Sequence, residues 1–167
     1  MIGRLFRNGR QSRLNTDEDG SALVELGLSL PMLCLMLLGA AEFARIAYAA
    51  IEVTNAAHSA AVYAGSSAAS AADTTGITNA ANSDSPNLTG SNAISVVTPL
   101  TYTCTCSNTN YTPTSCSDNS TCLSHNAAMI TTVTVKTQTT FSPMVTVPGF
   151  SPTVTLQGKS SEIVSNN

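Results

Sequence analysis

The chain has 167 residues, room for one modest domain, and a formal net charge of −3. Charged residues make up 10% of it, well below the roughly 25% of an ordinary soluble domain, and Ala, Ser, Thr and Asn fill the gap. This excludes nucleic-acid binding, which needs a basic stripe, and suits an exported domain whose polarity comes from hydroxyls and amides.

The first segment, 1–20, is a leader without apolar periodicity. It holds Arg4, Arg7, Arg10 and Arg13 of the chain's seven basic residues, then the acidic trio Asp17, Glu18 and Asp19. Next comes GSALVELGLSLPMLCLMLLGAA, Gly20 to Ala41, in which Glu25 is the one carboxylate. About twenty apolar or small residues at 1.5 Å each make about 30 Å of helix, enough to cross a bilayer at about 22–41. Arginines on one side mark that side as cytoplasmic and place the bulk of the chain outside, with membrane lipid as its first partner. A secretory signal would have a shorter apolar core and a small-residue cleavage site after it. Here the sequence continues as helix, and only Gly39-Ala40-Ala41 and Ala47-Tyr48-Ala49 mimic such a site.

From Glu42 to Ala64 apolar or small residues recur at Phe43, Ile46, Ala50, Val53, Ala57, Ala60 and Ala64. The alternating spacing of three and four is one helix face, with Arg45, Glu52, Asn55 and Ser59 off it. Alanine has the highest helix propensity, so one helix is expected from about Ser21 to about Ala64, ended by Gly65-Ser66-Ser67 within a 21–65 segment. It would be on the order of 65 Å long and bent at Pro31, whose ring removes a backbone bond and crowds the preceding turn. Segment 66–92 reads as a polar linker with at most a short helix around Thr75–Asn82.

The remainder, 93–167, reads as strands: Ala93–Thr98 and Leu100–Thr103 around Pro99, Met129–Thr139, Met144–Val147, and Thr153–Gln157. The fold class expected is therefore α+β: a long N-terminal helix, membrane-spanning in its first half, with a small antiparallel sheet covered by the Ala-rich second half. With four Phe and four Tyr in all, the core is thin. Cys104, Cys106, Cys116 and Cys122 form an even cluster in an exported segment and read as two disulfides, about 2–4 kcal/mol each. Cys104 and Cys106 share a strand face, so each pairs with Cys116 or Cys122. Both pairings are open, and the nested one, 104–122 with 106–116, is preferred.

Other chemistry is thinly represented. Cys34 lies in the span as a small apolar group. His125 follows Cys122 by three residues, but the cysteine spacing matches no common zinc motif, and no metal or cofactor is expected. His58 sits on an exposed helix face and no G-X-S-X-G is present, so no catalytic residues are assigned and the chain is read as non-enzymatic.

The order of features (an Arg-rich leader, Gly20, S-A-L-V-E, an apolar stretch with Pro31, then E-F-A-R and T-N-A-A-H-S-A-A-V-Y-A) resembles the TadE-like family. These are minor pilins, or pseudopilins, of the tight-adherence, Flp-type branch of type IV pilus systems. The resemblance is strongest over Gly20–Ala64. It implies a pilin-like fold, cleavage by prepilin peptidase after Gly20, and Ser21 as the new N-terminus. Glu25 then stands at the fifth mature position and, with Pro31, serves helix register and assembly. A carboxylate among apolar residues is costly to bury unless it meets a cation, and the Ser21 amine is such a partner. Leu26 follows the glutamate where major Flp pilins have Tyr, which fits a minor subunit. The implied partners are the peptidase, the major Flp pilin, sibling minor pilins and the inner-membrane assembly platform. The implied location is the bacterial inner membrane, N-terminus cytoplasmic and C-terminal domain periplasmic, with incorporation in the pilus open. The other reading is an unprocessed, membrane-anchored binding module or adhesin.

Overall fold

The structure is a computed structural model; it describes residues 16–108, 111–144 and 153–165, with side chains from Gly20 onward. They fall into two compact units, Met1–Phe43 and Ala44–Asn167. Helix α1 (Thr16–Gly65) begins earlier than the sequence suggested, because nothing from Thr16 onward opposes it except Gly20, a cost of about 1 kcal/mol. It continues through Pro31, which has no N–H to give the Gly27 carbonyl.

In the second unit α1 presents Ala49, Val53, Ala56, Ala57, Ala60, Ala61 and Ala64 to the core. The expected face is corrected at two positions. Phe43 is exposed, and Glu52, expected off the face, is buried because it lies three residues after Ala49 and four before Ala56. After α1, Ser67 caps α2 (Ala68–Ala72), and Asp73 caps α3 (Thr74–Ser83), which buries Ile77 and Ala81. The Asp73 carboxylate takes the Gly76 N–H at 2.9 Å and the Tyr63 hydroxyl at 2.8 Å, tying α3 back to α1.

These bonds predict a pH window. The Gly76 N–H, then the Tyr63 hydroxyl, hold the Asp73 carboxyl below its ordinary value, and donating to Asp73 raises the Tyr63 phenol, with burial adding to it. The Asp73 contribution is thus present above the unfolded aspartate pKa of about 3.9 and lost as pH falls through its lower folded value. The Tyr63 contribution is present below about 10 and lost as pH rises through its raised value. Melting curves between neutral pH and about pH 3 should fall less steeply for Asp73→Asn, which keeps a cap, than for the parent chain. Equal acid limbs would contradict the assignment.

Among the described residues four antiparallel strands follow: β1 (Ser95–Val96), β2 (Thr101–Cys106), β3 (Met129–Phe141) and β4 (Val154–Ile163). β3 is central. β1 and β2 run in succession along one edge, separated by the cis Thr98–Pro99 peptide, and β4 takes the other from Thr132↔Ile163 to Phe141↔Val154. Alternation turns Val133, Val135, Thr137, Thr139 and Phe141 inward. Small alanines on α1 let the sheet come close enough for the Thr137 hydroxyl to donate to the Val53 carbonyl at 2.7 Å. At the same level β4 carries Gly158, opposite Thr137. The Met144–Val147 strand expectation lies, except for Met144, outside the described residues. β4 runs six residues past the expected Gln157, because its inward positions there are small or polar: Gly158, Ser160 and Glu162.

The preferred disulfide pairing is overturned: the bonds are Cys104–Cys116 and Cys106–Cys122. Helix α4 (Ser120–Ser124) turns back through Asn126, at φ 55°, so that Ala127 N–H reaches the Cys122 carbonyl and Ala128 pairs with Ser107. That short return sets Cys122 beside the strand end at Cys106, which pairs with Met129, and leaves Cys116 for Cys104 further along β2. Cys106, Cys122 and Ala127 form a small second core with Met129 against it. Tyr111 and His125 stack outside it, ring centroids 3.5 Å apart.

Candidate functional site

Every large apolar side chain from Leu23 to Leu38 is exposed, so this part of α1 is apolar all round with nothing in its own unit to cover it. Such a helix is stable only in lipid or among other helices. Among the described residues it is the one helix long and apolar enough to cross a membrane, with mean hydropathy 2.0. Gly20, Ser21, Glu25 and Pro31 all lie on it, exposed. Gly20 to Glu25 spans about one and a half turns. The Gly20–Ser21 peptide is inside the helix, and apart from the neighbouring residues and backbone of its own helix nothing lies within 4 Å of where a Gly20 Cβ would stand. A protease that takes an extended strand must first unwind this turn.

In the second unit, the sequence reading missed Glu52. It is 6% exposed; its Oε1 accepts from the Asn87 amide at 2.6 Å, and the same amide nitrogen donates to the Tyr48 hydroxyl oxygen at 3.0 Å. Its Oε2 is buried without a hydrogen-bond partner. An unsatisfied buried polar atom costs about 1–3 kcal/mol, more for a charged group. A cavity of about 480 Å³ opens beside it, lined by Ala44, Arg45, Tyr48, Glu52, Asn87 and Phe141. The Arg45 guanidinium lies 5.1 Å from the Phe141 ring centre. The helical repeat from Ala49 to Ala56 was the signal that could have found Glu52. The contribution of Asn87, thirty-five residues on, carried no signal.

One cluster looks like a hydrolase and is not built as one. His58 Nδ1 is 3.5 Å from Ser160 Oγ and 3.8 Å from Glu162 Oε1. Both partners meet the same ring nitrogen, whereas a relay sets nucleophile and acid on opposite nitrogens. The contact instead ties α1 to the polar end of β4. Among the described residues no group of three His, Cys, Asp or Glu is arranged to hold a metal ion.

Taken together, an all-round apolar helix that runs on as the core helix of a small disulfide-braced sheet defines an α+β protein with one helix long and apolar enough to cross a membrane. The family model of the TadE-like proteins matches residues 20–62, the length of α1 from Gly20 almost to its end. Over those residues, about a quarter of the chain, it is similar to the TadE-like proteins. No curated protein and no solved structure matches it.

Proposed function

We propose that the chain is a minor pilin or pseudopilin acting in assembly of Flp-type, tight-adherence pili. The observation that carries this is the TadE-like match over residues 20–62, which opens at Gly20 and covers both the span and the core-forming half of α1. In this reading prepilin peptidase cuts after Gly20, the Arg-rich leader stays cytoplasmic, and the sheet unit stands in the periplasm. The Ser21 amine, its own or a neighbour's, neutralises Glu25 and sets the axial register of packed helices. Its partners are then the peptidase, the major pilin, sibling minor pilins and the assembly platform in the inner membrane.

The test is the N-terminus of the protein taken from its native membrane. A start at Ser21 supports the reading, and Gly20→Ala should abolish that start. An intact Arg leader on most molecules would sink it and leave a permanently anchored module. Glu25→Ala should leave cleavage largely intact and reduce pilus assembly. Normal assembly in that variant removes the register role.

A further inference from the structure

Glu52 is the only charged side chain buried among the described residues, and only half of its carboxylate is accounted for. We propose that the Glu52 cavity receives the ammonium of Lys136 or Lys159 from a second copy of this chain. Oε1 is already taken by Asn87. A guanidinium binds best with both carboxylate oxygens free, whereas one free oxygen suits the point charge of an ammonium. The Tyr48 hydroxyl oxygen beside it offers a further acceptor. Tyr48 is 55% exposed and Asn87 is exposed, so the carboxylate lies behind side chains that border solvent, with the Asn87 bond to Oε1 left in place.

The source is indicated by the chain's own charges. Lys136 and Lys159 are its only lysines, and the β3–β4 register sets them directly opposite each other. Both are exposed, and among the described residues neither has an ion pair. Like charges so placed oppose the sheet unless an acid meets them. Val135 and Thr137, the neighbours of Lys136, point toward α1, so Lys136 and its partner point away. Both lysines thus lie on the sheet face opposite α1, which carries Glu52, and the contact is between unlike faces of two copies, a heterologous interface. The inference stands on these charges and holds whether or not the pilin reading does.

The experiment uses the full chain in detergent, mixed from isotopically light and heavy preparations, and treated with a carbodiimide, which joins a carboxyl to an amine in contact. Mass spectrometry should find Glu52 joined to Lys136 or Lys159 between light and heavy chains. Glu52→Gln should cut the yield of intermolecular links by about tenfold or more, since it removes the charge that holds the ammonium. The same variant should melt no lower than the parent when dilute, because it removes an unpaired buried charge. Links confined to exposed carboxyls such as Asp84 and Asp118, or a link from Glu52 to another protein's lysine in native membranes, overturn the proposal. So does a Glu52→Gln chain that melts lower yet associates normally, which would mean a purely structural carboxylate.

Discussion

Gly158→Ala is expected to lower the melting temperature of the sheet unit by about 10 °C, a loss of about 2–3 kcal/mol. A Cβ at this position would overlap the Val53 carbonyl oxygen and the Thr137 hydroxyl oxygen. The first obstacle is helix backbone, which cannot rotate away as a side chain can. Either α1 lifts from the sheet or β4 slides, and both break the buried bond from Thr137 to Val53. That bond alone is worth about 1 kcal/mol net, and its loss leaves a buried hydroxyl unpaired. Gln157→Ala, one residue away and exposed, is the control and should melt within about 0.5 kcal/mol of the parent. Circular dichroism of the full chain in detergent reads both. If Gly158→Ala matches the control, the close approach of helix and sheet is wrong.

This close approach also explains what could be read from the sequence and what could not. The long helix was legible because alanine-rich chain without a strong breaker has one favoured state, and the spacing of Val53, Ala57, Ala60 and Ala64 gave its buried edge. The far half of β4 was hidden by its composition. A strand that lies against an alanine face must itself be small, so Gly158 and Ser160 replace the branched residues by which strands are recognised. The short α2 was hidden because its signal is local: Ser67 accepting from the Ser70 N–H over a five-residue helix. The candidate site divides in the same way. Gly20, Ser21, Glu25 and Pro31 stand in one stretch, so their order could be matched to a family motif, and helical geometry adds only their spacing. Glu52 gains its meaning from Asn87 and Tyr48 across a tertiary contact, which no spacing along the chain encodes. The cysteine pairing depended on the path of α4, and that path turns on one left-handed residue, Asn126.

The pairing leads to the second large effect. Removing Cys106–Cys122 by joint Cys106→Ala and Cys122→Ala substitution should cost about 4 kcal/mol, against about 3 kcal/mol for removing Cys104–Cys116. The sequence separations of 16 and 12 make the entropic parts nearly equal, since the loop term grows only with the logarithm of length. What separates the two is packing. Cys106 and Cys122 are buried, and truncating both opens a void among Ala127 and Met129, whereas Cys104 and Cys116 are half-buried. Because Cys122 carries α4, loss of its bond should also expose the amides of Ser120–Ser124 to hydrogen exchange and separate the stacked Tyr111 and His125. Loss of Cys104–Cys116 should leave α4 protected. Thermal melting and amide exchange on the two double variants give the ranking, and non-reducing peptide maps of the parent should join 104 to 116 and 106 to 122. A nested map, or α4 protection that survives loss of the Cys122 bond, would show that α4 is held by something other than its cysteine.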